Sequence, residues 1–188
     1  QKKIKSKYQY LSSWAIWANE GETPKSNVGD LSVLDPKKNK NLLEQLNTEV
    51  VFVALNVSRG DIIIPFGNFH DSKPEATDFK IRFAFKNTPY WGGYMTDIIK
   101  DFEEQISGKV KTFLSNNKDF EKQNVDYFIK ELEYIGSINP TLVAFGNEVH
   151  NILIRHLEGK YEIIKVPHYA NYINKEKYRD QVRSICNF

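Results

Sequence analysis

Two apolar runs of strand length end in polar turns, and they constrain the fold more than any other feature of this chain. Val50-Val51-Phe52-Val53-Ala54-Leu55 leads into Asn56-Val57-Ser58-Arg59-Gly60. Tyr161-Glu162-Ile163-Ile164-Lys165-Val166 leads into Pro167-His168-Tyr169-Ala170-Asn171. The first, Val50–Leu55, is continuous and without alternation, which suits a central parallel strand. In open α/β sheets, ligands bind beyond the carboxyl ends of such strands. These two ends, far apart in sequence, are placed to face one pocket.

Trp91–Ile99 reads as a second strand and Thr141–Phe145, after Pro140, as a third. Asn41–Leu46 reads as a short helix. Phe79, Ile81, Phe83 and Phe85 alternate, but Phe79 and Phe83 also fit a helix, and a helix is the reading taken. Ile99, Phe102, Ile106 and Val110 recur at helical spacing, and Val125, Phe128, Ile129, Leu132 and Ile135 form a cleaner amphipathic face. Gly146-Asn147 introduces a further helix with Asn147 as its N-cap and Val149, Ile152 and Leu153 inward. Asn174 caps a last helix that turns Tyr178, Val182 and Ile185 inward. Strands alternating with helices predict an α/β protein: a three-layer α/β/α sandwich around a central, mostly parallel four-stranded sheet. The 188 residues form one domain, 1–188. Its first part, 1–45, is expected to be an irregular extension that wraps the core. Tyr8–Trp17 anchors it, with Trp14 and Trp17 clamping the sheet edge or lining a pocket mouth.

The formal net charge is +2, which carries no whole-chain nucleic-acid signal but leaves room for a local basic patch. Cys186 is the single cysteine, so no intrachain disulfide forms, as suits a reducing compartment. No apolar run approaches membrane-spanning length, and Gln1-Lys2-Lys3-Ile4-Lys5 is not followed by the apolar stretch of a secretory signal. A cytoplasmic monomer without a membrane partner is expected.

Phosphate loops, dinucleotide glycine fingerprints, zinc-type Cys/His spacing and nucleophile elbows are all absent. His150 and His156 fall on a predicted helix and suit structural roles. His70 and His168 follow loop and strand boundaries and are better placed for chemistry. Taken in order, four segments form a pattern: Leu55-Asn56 at the end of the first strand, Thr96-Asp97-Ile98-Ile99-Lys100 at the end of the second, Asn139 to Asn147 around the third, and Pro167-His168 after the fourth. Phe66-Gly67-Asn68-Phe69-His70 lies between the first two. This succession resembles the uracil-DNA glycosylase superfamily in its broad sense, from about Val50 to Ile173.

The resemblance implies a DNA glycosylase that hydrolyses the N-glycosidic bond of a damaged or deaminated base. Asn56 would position the attacking water, and His168 would stabilise negative charge on the departing base. Phe66 or Phe69 would stack on the base and Asp97 would read its edge. Tyr172 would wedge into the vacated stack, and Ser58 and Arg59 would meet phosphates. The partner would be single- or double-stranded DNA, with no metal and no organic cofactor. Three departures accompany the likeness. Val57-Ser58 stand where relatives carry Pro-Gly, Tyr169-Ala170 follow the histidine, and Asp97 replaces the usual Asn. An ionised carboxylate only accepts hydrogen bonds. It suits an imide N–H but opposes the adjacent carbonyl of uracil, so an edge with neighbouring donors, such as guanine's, pairs better. Protonation would restore uracil recognition if burial raised the pKa; a third role for Asp97 is turn capping outside the pocket. Two other functions stay open: a non-catalytic nucleobase or nucleotide-binding module on the same fold, and an interaction protein that docks a partner through an exposed aromatic N-terminal patch.

Overall fold

The computed structural model describes residues 8–56, 64–100 and 102–188. Five strands form one sheet: β1 (Ser12–Trp14), β2 (Asn47–Asn56), β3 (Gly93–Ile99), β4 (Thr141–Phe145) and β5 (Glu162–Val166), in the spatial order β1-β3-β2-β4-β5. All neighbouring pairs are parallel except β1 with β3, which is antiparallel. The helices are α1 (Leu42–Gln45), α2 (Phe79–Phe85), α3 (Ser107–Asn116), α4 (Lys118–Ile135), α5 (Asn147–Leu157) and α6 (Lys175–Cys186).

Alternation along each strand sorts the core into two layers. Val51, Val53 and Leu55 of β2 pack with Val110 and Leu114 of α3, Phe128 and Leu132 of α4, and Ile152 and Leu153 of α5. Val50, Phe52 and Ala54 point the other way, onto Ile81 and Phe85 of α2 and Tyr178 and Val182 of α6. The result is the expected three-layer sandwich, with five strands where four were predicted. The fifth is β1, inside the region expected to be irregular. Its three residues pair with Thr96, Met95 and Tyr94, and its serines bond to main-chain carbonyls: Ser12 Oγ to Tyr8 O (2.9 Å) and Ser13 Oγ to Phe66 O (2.9 Å). A strand so short, held by distant partners, has no periodicity to announce it.

Tyr8, Trp14, Ile16 and Trp17 are all buried, so these aromatics are core rather than an exposed docking patch. The polar segment that follows is held by Arg82, a buried guanidinium that donates to the carbonyls of Ala18 (3.0 Å), Ser26 (2.9 Å) and Pro24 (2.7 Å).

Other local expectations also shift. The helical spacing from Ile99 to Val110 is interrupted: Ile99 ends β3, α3 starts only at Ser107, and Ile106 is exposed. Phe102 instead stacks on Phe113, with ring centroids 4.2 Å apart. Asn147 is the first residue of α5 and makes no capping bond; Gly146 occupies the cap position in a left-handed conformation (φ 93°). Asn174 does cap α6, accepting from the Lys177 N–H (2.8 Å). Ile185, however, is 42% exposed, because the buried stripe runs Tyr178, Val182, Cys186 at four-residue steps.

The connection into the sheet is tight at Gly92, which has φ 82° and bridges two segments: its N–H donates to Ala15 O (3.0 Å) and its carbonyl accepts from the Asn47 N–H (2.9 Å). A Cβ there would run into the Gln45 carbonyl oxygen. Gly92→Ala is therefore expected to cost about 2–4 kcal/mol, combining left-handed strain with a backbone clash. Urea unfolding would show a lower midpoint with an unchanged slope.

Candidate functional site

The chain leaves β2 for β3 on one side, then returns to β4 and β5 on the other. That reversal is a topological switch point, and the crevice beyond the carboxyl ends of β2 and β4 is where such a sheet binds ligands.

Asp97 lies on β3, opposite Ala54 of β2. Its neighbours Thr96 and Ile98 face the α4 layer, so Asp97 faces the other layer with Met95. It is 2% exposed, and its Oδ2 accepts from Asn68 Nδ2 (2.9 Å). Oδ1 has no hydrogen-bond partner among the described residues. Burial pushes the carboxyl up to about 6, against the opposing pull of the Lys100 ammonium and the Asn68 hydrogen bond; Glu131 adds a smaller upward push.

Asn68 belongs to a loop that the N-terminal segment pins down. Its Nδ2 also donates to Leu11 O (3.2 Å). On either side of it, Phe66 and Phe69 take left-handed conformations (φ 62° and 63°), unusual for aromatic residues. Ser13 Oγ holds the Phe66 carbonyl and Trp17 Nε1 the Phe69 carbonyl (3.2 Å). Both rings are buried, Phe66 in the α4-side core and Phe69 in the α2-side core. His70, the last of this group, packs its ring 5.1 Å from Trp17 and places Nδ1 3.3 Å from the Val28 carbonyl. Burial lowers its pKa to about 4, so it is a neutral core residue.

Beneath Asp97, on the opposite face of β3, lies a buried ionic cluster. Lys100 Nζ contacts Glu131 Oε2 at 2.7 Å and donates to Thr96 Oγ1 (2.7 Å) and to the Asp97 carbonyl (2.6 Å). Glu131 Oε1 accepts from Tyr94 OH (2.8 Å) and Thr96 Oγ1 (3.0 Å). Lys100 Nζ thus makes its direct contacts with Glu131, Thr96 and the Asp97 main chain rather than with the Asp97 carboxylate.

His168 follows β5, and its Nδ1 accepts from the Ala170 N–H (3.1 Å). That bond fixes the neutral tautomer with its proton on Nε2. Burial holds the pKa below the ordinary histidine value, favouring the same neutral form. The ring stacks on Tyr169 (4.5 Å between centroids) and backs onto Gly146, where a Cβ would lie 3.4 Å from His168 Cβ. A cleft of about 310 Å³ opens there, lined by Gly146, Asn147, Lys165, His168 and Asn171 among others. Lys80, a buried amine whose pKa is lowered by burial, donates to the Asn171 carbonyl (2.9 Å) and steadies this loop. Tyr172 stands fully exposed at the loop's tip.

The chain matches no protein-family model, no curated protein and no solved structure.

Asn56 ends β2, which is separated in the sheet by β4 from β5, the strand that His168 follows. Its Nδ2 donates to the carbonyls of Phe102 (3.1 Å) and Glu104 (2.8 Å), tying down the segment before α3. Asn56 does not line the His168 cleft. Ser58 and Arg59 lie outside the described residues. The structure thus joins Asp97 to the Phe66–Phe69 loop and sets His168 in a separate open cleft. Asn68 was missed as a site residue, although it stands between the two singled-out phenylalanines in Phe66-Gly67-Asn68-Phe69. Among the described residues, no three His, Cys, Asp or Glu side chains gather as metal ligands do, and no helix is long and apolar enough to cross a membrane.

Proposed function

We propose that the carboxyl edge of the sheet receives a nucleobase extruded from DNA and that the protein hydrolyses its N-glycosidic bond. The observation that carries this reading is the tautomer of His168: a neutral ring, fixed by the Ala170 N–H, that keeps Nε2–H as a donor at a strand end. Cleavage of the bond builds positive charge on the sugar and negative charge on the base. A donor aimed at the base oxygen or nitrogen strengthens as that charge develops, so it lowers the barrier rather than merely aiding binding. A neutral imidazole does this without carrying its own charge into the site. The resemblance would give the water to Asn56 and the base edge to Asp97, held by Asn68, though all three stand outside the His168 cleft. Tyr172, exposed at the loop tip, would fill the vacated stack. Ser58 and Arg59 would meet phosphates. Water is the only co-reactant the hydrolysis needs.

A second reading, a nucleobase or nucleotide-binding module without turnover, draws on a different observation. The Asn56 amide is engaged by the Phe102 and Glu104 carbonyls, and Phe66 and Phe69 are buried. The two readings separate in one assay: release of free base from single- and double-stranded DNA carrying uracil, hypoxanthine, xanthine or unmodified bases. Turnover is expected, and His168→Ala is expected to slow it by about 10²–10³-fold, as for loss of one donor to a developing anion. Binding without release would favour the module. Folded protein that neither binds nor releases any base would sink both.

A further inference from the structure

We infer that the opposite end of the sheet carries a second, separate site: a cavity of about 400 Å³ that takes a neutral sugar ring. It opens beside the amino ends of β2 and β3, whereas His168 follows the carboxyl end of β5. Its walls include Trp17 and Asn19 after β1, Gln45 before β2, and Lys86, Asn87 and Trp91 before β3. Main-chain hydrogen bonds join these segments at one point. The Ala15 N–H donates to Gly93 O (2.8 Å), the Gly92 N–H to Ala15 O (3.0 Å) and the Asn47 N–H to Gly92 O (2.9 Å). The cavity is thus preformed rather than assembled by its occupant.

An aromatic corner meets a set of amides there. Trp17 is buried and Trp91 half-buried, with ring centroids 5.7 Å apart and the rings tilted by 57°. Trp17 Nε1 donates to the Phe69 carbonyl (3.2 Å), whereas Trp91 Nε1 has no hydrogen-bond partner among the described residues. The side-chain amides of Gln45 and Asn87 have none there either. Lys86 Nζ donates to Asn19 Oδ1 (3.2 Å), and among the described residues no carboxylate lines the cavity. A free amide sets a donor beside an acceptor, and a hydroxyl is both, so a hydroxyl-rich ligand satisfies either end. An indole wall takes an apolar C–H face through burial and dispersion. A sugar ring carries both features. Packing accounts for Trp17, but not for a hollow lined by both Trp91 and the unpaired Gln45 amide.

The test is titration of the full chain with glucose, galactose, mannose, N-acetylglucosamine, maltose and cellobiose. Tryptophan fluorescence reads it directly, because two of the three tryptophans line the cavity. At least one sugar is expected to give a saturable change, with a dissociation constant on the order of 1 mM or tighter. Gln45→Ala and Asn87→Ala are each expected to weaken that binding about five- to tenfold, the size of one lost hydrogen bond. Trp91→Ala is expected to abolish it, and His168→Ala to leave it as in wild type, because His168 belongs to the other end of the sheet. No saturable response to any of these sugars overturns the assignment, as does an affinity unchanged in both amide variants. Tighter binding of 2′-deoxyadenosine or thymidine, lost in Trp91→Ala, also overturns it and makes the cavity a base site.

Discussion

Replacing Lys100 with Met is expected to lower the unfolding free energy by about 3–5 kcal/mol, the usual cost of removing one partner from a buried ion pair. Both side chains are almost wholly out of water, and the Lys100 Nζ–Glu131 Oε2 distance is 2.7 Å. Without the ammonium, the Glu131 carboxylate keeps only the hydroxyls of Tyr94 and Thr96. It must then take up a proton or stay charged in the core. Adding Glu131→Leu should restore much of the loss, because the orphaned charge is what costs most. Urea titration of the single and double variants measures both steps. Equal midpoints for wild type and Lys100→Met would show that the pair is reached by water. The same substitution should push the Asp97 carboxyl higher still, since Lys100 is one of the two influences holding it down.

Asp97→Asn should act in the opposite direction, and its effect should depend on pH. The folded-state pKa of about 6 lies above the ordinary aspartate value of 3.8. A carboxyl raised in this way binds its proton more tightly when folded. Its relative stabilisation is complete below the unfolded pKa and is lost as pH rises through the folded one. Near neutral pH the wild-type protein carries the whole cost of an ionised buried carboxylate, about 3 kcal/mol from the size of the shift. The Asn variant should therefore melt on the order of 6–12 °C higher at neutral pH. That advantage should fade between pH 6 and about 4.

His70 slopes the other way. Its folded pKa of about 4 lies below the ordinary histidine value of 6.5, so its contribution is present above 6.5 and lost as pH falls toward 4. In the wild-type protein the two groups largely offset each other over this range. Removing Asp97 should leave the His70 slope exposed, giving a variant that is more stable at neutral pH and more steeply acid-sensitive. A melting-temperature difference that stays constant from pH 4 to 8 would show that Asp97 does not ionise in this interval.

The parallel strands were legible because Val50–Leu55, Thr141–Phe145 and Tyr161–Val166 are short apolar runs bounded by turn residues, a signal local in sequence. What was hidden depends on distant partners. Ser12–Trp14 is a strand because Tyr94–Thr96 lies beside it, and nothing in a Ser-Ser-Trp triplet says so. The spacing of Ile99, Phe102, Ile106 and Val110 mimics a helix, but Phe102 is drawn to Phe113 and the intervening carbonyls to Asn56. Asn56 and His168 were visible as strand-end polar residues. The amide's engagement with a later segment was not, and neither was the Ala170 contact that sets the imidazole proton. Asn68 shows the same limit: its importance comes from reaching Asp97 and Leu11, one contact forward in the chain and one back.

The antiparallel edge strand also bears on how the molecule is made. Trp14 and Trp17 leave the ribosome before β2, α2 and β3 have been synthesised, yet β1 has no partner until Tyr94 to Thr96 emerge. At ordinary rates of translation this apolar segment waits for several seconds with nothing to cover it. The loop carrying Asn68 waits with it, since Leu11, Ser13 and Trp17 are its anchors. This corner of the protein would thus be assembled by one late docking event, and the apolar segment with Trp14 and Trp17 would be the natural point of capture for a chaperone.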